Sequence, residues 1–150
     1  MKKLAAFLFL GACGPSAVVK APPAPTPAAP APDANFSVTT YEVIEKSEDD
    51  GTAYLKIFID GAAAGQTDSG PRSQVKRWEG AVPAGNRPVR FEYWIMKSTS
   101  EWSPLGEDHA PRERFMRVEE GVRTKVEVKF FDQARGNSVT LAKEPMGRPR

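Results

Sequence analysis

The residues best able to do chemistry are few, because this chain of 150 residues has one cysteine and one histidine. The histidine, His109, stands among acidic residues in a segment predicted to be a loop, and those neighbours are Glu107, Asp108 and Glu113. An imidazole with carboxylates would suit a transition-metal ion, but the sequence supplies no second nitrogen or sulfur ligand at zinc-site spacing. We therefore expect a solvated polar loop, with no metal ion and no other cofactor.

Other catalytic arrangements are equally hard to find in the sequence. No serine lies in a glycine-flanked nucleophile elbow, and nothing places two carboxylates in a shared cleft. Residues 47–50, of which three are acidic, do not fit the spacing of a calcium-binding loop and predict a charged hairpin tip. The sequence thus predicts a protein that is not an enzyme.

The single cysteine, Cys13, closes a segment with the three parts of an export signal. Two lysines form the basic start, residues 4–10 form the apolar run, and Gly11 and Ala12 precede the cysteine. The apolar run is too short to cross a bilayer, since a spanning helix needs roughly twenty residues. Residues 1–12 are therefore predicted to be a signal peptide.

The tetrad Leu10, Gly11, Ala12 and Cys13 resembles the lipobox of bacterial lipoproteins. In that family the chain is cleaved before the cysteine, which then carries the lipid that anchors the protein. The resemblance implies lipid attachment at Cys13, with several acyl chains that hold more firmly than one. Gly14 stands where an aspartate would imply retention in the inner membrane, so we expect an anchor in the outer membrane of a bacterial envelope. The alternative is an ordinary secretory signal with an incidental cysteine, although the only cysteine has no partner for an internal disulfide.

A segment rich in proline and alanine separates this signal from the rest of the chain. Residues 21–32 contain six prolines, which fix the backbone and remove amide donors. We interpret residues 13–35 as the lipidated cysteine followed by an extended, semi-rigid linker that holds a domain away from the membrane. The alternative is a ligand for a proline-recognising groove.

Residues 36–142 have the length and composition of one folded domain, and their apolar residues alternate with polar ones as in strands. This alternation predicts seven strands, at residues 36–45, 54–60, 73–82, 89–96, 112–119, 122–131 and 138–142. In the first strand the alternation slips at Thr39 and Thr40, which predicts a β-bulge. No segment predicts a helix of three turns.

Turn residues separate the predicted strands, and glycine there accepts the positive φ of tight hairpins. These turns are Asp50 with Gly51, Asp60 with Gly61, Glu120 with Gly121, and Gly136 with Asn137. The fold class is therefore predicted to be all-β, with a single antiparallel β-sandwich of immunoglobulin-like or transthyretin-like type. Residues 143–150 are predicted to be a disordered, basic tail.

Residues 57–94 contain two apolar strands with three short groups of residues between them. These groups are Asp60 and Gly61; Gly65, Gln66 and Thr67; and Val82, Pro83, Ala84 and Gly85. The pattern resembles the PEGA-type β module of bacterial surface and envelope proteins, and each glycine is expected where the chain reverses. The resemblance implies a sandwich and assigns no function, because one fold serves many functions.

The charge balance argues against nucleic-acid binding. The whole chain carries a formal net charge of +2, and without Lys2 and Lys3 it has 19 basic and 19 acidic residues. These charges are interspersed, so no patch would attract a polyanion.

Large aromatic side chains lie on strand faces predicted to point outward. Phe58 and Trp94 are the clearest, and such side chains cost solubility unless something covers them. The cover is either internal, from residues 98–111 with Trp102 and Leu105, or external, from a binding partner. We name Phe58, Trp94 and Trp102 as the candidate binding surface.

These features together predict a membrane-anchored, non-enzymatic envelope lipoprotein. Its β-sandwich would dock a protein partner in the periplasm or at the outer membrane. The alternative is a module that binds glycan or peptidoglycan through exposed aromatic side chains.

Overall fold

The computed structural model describes residues 33–98 and 101–147, so Cys13, the signal segment and most of the linker lie outside the described residues. The described residues form ten strands and one short 3-10 turn, Ser47–Asp49. The strands are β1 (Phe36–Glu42), β2 (Thr52–Ile59), β3 (Ala62–Gln66), β4 (Gly70–Pro71), β5 (Lys76–Gly80), β6 (Gly85–Ser98), β7 (Glu101–Pro104), β8 (Arg114–Val118), β9 (Val122–Phe131) and β10 (Gly136–Pro145).

The strands form two sheets packed face to face, which confirms the all-β sandwich. Sheet A has the order β10-β9-β1-β5. Sheet B has the order β3-β2-β6-β7, with β4 also paired to β2 and β8 also paired to β6. Every pairing is antiparallel except that of β1 with β9, which is parallel. The long strand β6 organises sheet B, because it pairs with β2 along one side and with β7 and β8 along the other.

The core lies between the sheets and consists of alternate residues of the strands, as the period of two predicts. Completely or almost completely buried apolar side chains include Phe36, Val38, Leu55, Ile57, Val89, Phe91, Val126, Val128 and Phe130. Burial of one such side chain stabilises the fold by about 1.5–3 kcal/mol. The predicted alternation of the strands at residues 54–60, 89–96 and 122–131 is thereby confirmed.

The predicted bulge in the first strand is wrong. β1 pairs with β5 and β9 without a register shift. Its alternation continues through Thr40 and Glu42, which point inward and are buried although they are polar. The sequence pattern slipped because the inward positions change from apolar to polar residues, and the backbone itself stays regular.

Only one of the glycine turns closes the kind of hairpin that was predicted. Asp60 and Gly61 join β2 to β3 with φ of 54° and 78°, a left-handed pair typical of two-residue hairpin loops. The Asp50 and Glu120 turns instead carry the chain from one sheet to the other, since β1 and β9 belong to sheet A while β2 and β8 belong to sheet B.

The hairpin between β9 and β10 turns on residues other than its glycine. Asp132, Gln133 and Ala134 have φ of 53°, 54° and 62°, a conformation that costs a non-glycine residue about 1–2 kcal/mol. Gly136 is the first residue of β10, and a Cβ there would lie 2.1 Å from Cε2 of Phe131. Gly136 therefore provides space for a ring.

The domain is longer at both ends than predicted. Ala34 is 2% exposed, and the Asn35 side chain exchanges two 2.8 Å hydrogen bonds with the backbone of Val82. β10 continues to Pro145, and the Met146 amide donates to Gly121 O at 2.8 Å. The prediction of a disordered tail from residue 143 is therefore wrong for the residues up to 145.

Gly65 lies within β3 rather than at a chain reversal, so the expected role for this glycine is also wrong. It faces the core opposite Trp78 of β5, and a Cβ built on it would lie 2.1 Å from the indole Nε1. Gly80 makes room for the other end of the same indole, 2.6 Å from a built Cβ. The two glycines thus let Trp78 fill the gap between the sheets at the β3 and β5 edges.

We expect Gly65→Ala to lower the free energy of unfolding by about 1–3 kcal/mol, because the added methyl group overlaps Trp78. The control is Gly106→Ala, where nothing lies within 4 Å of the built Cβ and a change within about 0.5 kcal/mol is expected. Urea unfolding of both variants measures the difference, and equal losses would contradict this packing role.

Candidate functional site

The outer face of sheet B carries the predicted aromatic residues. In the paired strands β2 and β6, Tyr54 is opposite Trp94, Lys56 is opposite Glu92, and Phe58 is opposite Arg90. Their inward neighbours, such as Leu55 and Tyr93, are fully buried, so these six side chains share the opposite face of the sheet. We call these six residues, together with Trp102 of β7, the aromatic face.

Trp102 reaches this face because residues 101–104 pair with β6 as strand β7, which was not predicted. Its ring meets Tyr54 edge-on at 4.8 Å between centroids, and Trp94 lies parallel to Tyr54 at 6.1 Å. Tyr54 is only 2% exposed as a result. Burial, with the nearby charge of Glu92, raises the pKa of Tyr54. Residues 101–104 therefore supply part of the internal cover that the sequence offered as one alternative.

Charged side chains lie over the remaining rings. The Lys56 ammonium is 4.3 Å from the Trp94 ring centroid, and the Arg90 guanidinium is 4.0 Å from that of Phe58. Glu92 connects the Lys56–Trp94 contact to the Arg90–Phe58 contact. Its carboxylate accepts hydrogen bonds from Arg90 Nη1 at 2.5 Å and from Trp94 Nε1 at 3.2 Å. Such cation–π contacts contribute roughly 0.5–1 kcal/mol each at exposed sites.

The three predicted surface residues are thus on one face, but they do not form one exposed patch. Trp94 and Trp102 both contact Tyr54, while Phe58 lies four residues further along β2 beneath Arg90. All three are half-buried. The large exposed side chain on this face is Phe115 of β8, 69% exposed and opposite Pro88 of β6. Sequence reasoning missed it because no inward and outward faces were assigned to the strand predicted at residues 112–119.

A buried polar cluster, which sequence reasoning also missed, lies between the sheets at one end of the sandwich. Glu42 of β1 accepts two hydrogen bonds from Arg72, at 2.7 Å from Nε and 2.5 Å from Nη2. It also accepts one from the Tyr93 hydroxyl of β6 at 3.1 Å. The burial of Glu42 could have been predicted, because Glu42 lies on the same side of β1 as Phe36 and Val38. Its partner Arg72, 30 residues away, could not.

The charges in this cluster change the proton affinities of its members. Burial alone would lower the pKa of Arg72, but the hydrogen bonds and charge of Glu42 raise it. Burial and the charge of Glu42 raise the pKa of Tyr93. The Glu42 side chain is 0% exposed and both of its oxygens accept hydrogen bonds, so we interpret the cluster as a structural clamp between the sheets.

Lys76 of β5 extends this cluster. It is 1% exposed, and its ammonium donates to three carbonyl oxygens, of Pro71 at 2.7 Å, Gln74 at 2.9 Å and Arg72 at 3.3 Å. Burial lowers the pKa of Lys76 to about 8, although the nearby charges of Asp50 and Glu42 oppose this. Lys76 thereby fixes the loop that carries Arg72.

Two grooves lie on the surface of the described residues. One, of about 610 Å³, is lined by residues 84–86 and 117–120. The other, of about 450 Å³, lies on the outer face of sheet A, between β5 and β10. In neither does a described hydroxyl group hydrogen-bond to a side chain that could act as its base, as an activated nucleophile requires.

Within residues 33–98 and 101–147, no three histidine, cysteine or carboxylate side chains are grouped closely enough to hold a metal ion. His109 is exposed, and its amide donates to Gly106 O at 3.0 Å in a loop. None of the helical structure in the described ranges is long and apolar enough to span a bilayer.

Comparison with protein-family models, with curated proteins and with solved structures gave no significant match.

We expect Arg72→Met to lower the free energy of unfolding by about 3–5 kcal/mol, because it leaves the buried Glu42 carboxylate without its ionic partner. Adding Glu42→Gln to this variant should restore most of the loss, since the unpaired charge is then removed. Denaturant unfolding of the double-mutant cycle measures this coupling.

The matched control for this cycle is Lys125→Met, which breaks the exposed 2.7 Å pair with Glu144. We expect a loss within about 1 kcal/mol there, as for other surface pairs. Additive losses at Arg72 and Glu42 would contradict the clamp.

The buried Lys76 predicts a pH dependence of stability. Its pKa in the folded protein, about 8, is below the ordinary value of 10.5, so the unfolded chain binds more protons between these values. Stability should therefore rise from pH 8 to pH 10 relative to Lys76→Met, by at most about 1.4 kcal/mol per pH unit. Urea unfolding across this range measures the two slopes, and identical slopes would show that Lys76 titrates normally.

Proposed function

We propose that this chain is a membrane-anchored, non-enzymatic envelope lipoprotein whose β-sandwich docks a protein partner in the periplasm or at the outer membrane. Lipid at Cys13 would supply the anchor, and the linker would hold the domain away from the membrane. The anchor follows from the lipobox resemblance, and the docking role rests on the aromatic face.

The single observation that carries the docking role is the mixture of side chains on the outer face of sheet B. Aromatic residues and arginine are enriched in the centres of protein interfaces, and here Trp94, Trp102 and Arg90 lie on one face of the sheet. Phe115 of β8 adds a 69% exposed ring to that face, opposite Pro88, which is six residues from Trp94 along β6. Large apolar side chains exposed on such a face are typical of surfaces that bind another protein.

The contacts within the face also favour a protein over the alternative, a glycan. Stacking on a sugar needs an open ring face, whereas Trp94 lies parallel to Tyr54 and has the Lys56 ammonium 4.3 Å from its centroid. A protein partner can use ring edges and the Lys56, Glu92 and Arg90 charges together. We therefore place protein docking ahead of glycan binding.

Photo-crosslinking in the native envelope tests this proposal. A benzophenone amino acid at Phe115, on the outer face of sheet B, should give a discrete crosslinked protein. The matched control is the same probe at Phe131, a 41% exposed phenylalanine on the outer face of sheet A, which should not give that product. The same product from both positions, or glycan adducts at Phe115, would overturn the proposal.

We further expect Trp94→Ala to abolish the crosslink from Phe115 while the chain remains folded. The loss of the Tyr54–Trp94 pair should cost about 0.5–1.5 kcal/mol beyond the area no longer buried, which leaves the core intact. Circular dichroism checks the fold of the same preparation. A folded Trp94→Ala chain that still crosslinks would remove Trp94 from the docking surface.

A further inference from the structure

Strand β10 is an unusual edge for a sheet. It is ten residues long and pairs with β9 without a register shift, and it ends sheet A on that side. The other edge strands of the described residues are five residues or shorter, and the pairings of β3 and β7 are interrupted by bulges. Short or bulged edges resist pairing with another chain, whereas a long regular edge invites it.

The backbone groups of β10 that point away from β9 belong to alternate residues. The Val139 carbonyl accepts from Arg114 Nη1 at 3.4 Å and so points away, while the Met146 amide donates toward β9 at Gly121 O. By this alternation the outward-pointing groups are those of residues 137, 139, 141 and 143. Within the described ranges, no backbone partner binds the outward-pointing amides of Val139, Leu141 and Lys143.

The side chains of β10 match a second copy of the same strand. If two β10 strands pair antiparallel about Thr140, Val139 of each copy lies opposite Leu141 of the other. On the other sheet face the same register places Ser138 opposite Ala142 and Thr140 opposite itself. Leu141, 42% exposed in the single chain, would then gain an apolar neighbour.

The charges of β10 agree with this register. Lys143 would lie opposite Asn137, and Glu144 opposite Gly136, so no like charges face each other. In this register, residues whose backbone groups point away from β9 lie opposite such residues of the other copy. Antiparallel strands need this arrangement to exchange backbone hydrogen bonds. The central stretch from Ser138 to Ala142 carries no charge that would oppose association.

We infer that two copies of this chain associate through β10, antiparallel and centred on Thr140, so that the two A sheets form one continuous sheet of eight strands. This inference goes beyond the proposed function and does not depend on it. Its partner is a second copy of this chain, because the side chains of the edge complement themselves.

The register makes a sharp prediction for disulfide formation. All variants are made in the full chain with Cys13→Ser, so that the introduced thiol is the only one. In Thr140→Cys, two identical residues face each other at a non-hydrogen-bonded site, where Cα atoms are about 4.5 Å apart. That separation permits a disulfide. We expect most of this chain to become a covalent dimer under mild oxidation.

The matched control is Ser138→Cys, an exposed position on the same face of the same strand. In the proposed register the two copies of residue 138 are offset by four residues, or about 14 Å along the strand, which no disulfide can bridge. This variant should form no covalent dimer under the same oxidation. Equal amounts of covalent dimer in both variants, or covalent dimer in neither, would overturn the inference.

Light scattering provides a second readout without cysteines. Leu141→Lys should give the mass of one chain at concentrations where the wild-type chain has the mass of two. The control is Val75→Lys, which alters an apolar side chain that is 50% exposed outside β10 and should leave the dimer intact. A wild-type chain with the mass of one copy at all concentrations would also overturn the inference.

Discussion

The buried ion pair between Glu42 and Arg72 is the contact on which the described fold most depends. It joins β1 of sheet A to the loop after β4, and through the Tyr93 hydroxyl it also reaches β6 at the centre of sheet B. Tyr93 in turn stacks on Phe130 of β9, with ring centroids 4.0 Å apart. One carboxylate thereby links the central strands of both sheets.

Removing the charges of Glu42 and Arg72 from water costs free energy, so the residues around them must supply compensating hydrogen bonds. A buried charge is tolerated only when its hydrogen-bonding capacity is satisfied, and here Arg72 and Tyr93 supply three donors. The loop that presents Arg72 is fixed in turn by Lys76 and by Asp50, which accepts from the Ser73 amide at 2.8 Å and the Ser73 hydroxyl at 2.6 Å. The hydrogen bonds from Ser73 lower the pKa of Asp50. The clamp lies between the sheets, whereas the proposed docking surface is the outer face of sheet B and the proposed dimer edge is β10 of sheet A.

Sequence reasoning predicted the strands that are buried on one face, because their apolar residues recur at every second position. β2, β6 and β9 follow this rule, and Leu55, Phe91 and Val128 are all buried as expected. It did not predict β3, β4 or β7, which are short and consist largely of alanine, glycine, proline and polar residues. Such strands form because a longer neighbour offers them a hydrogen-bonding edge.

The aromatic face and the Glu42 clamp also differ in how far the sequence predicts them. The aromatic face could be located from alternation in β2 and β6, and its internal cover by Trp102 was one of two stated alternatives. The Glu42 clamp could not be predicted, since its arginine lies in a loop and the pairing depends on how the sheets stack. Thr67 is a similar case, because its hydroxyl accepts from the Leu55 amide at 3.0 Å and replaces a strand carbonyl. These contacts depend on tertiary structure, which periodicity does not encode.

The most direct test of the account is the intact mass of the protein extracted from bacterial membranes, compared with a Cys13→Ala variant. If lipid at Cys13 anchors the protein, the wild-type chain begins at Cys13 and carries the added mass of its acyl chains, whereas the variant is neither cleaved there nor acylated. A soluble wild-type chain without added mass would contradict the membrane anchor and leave a secreted β-sandwich.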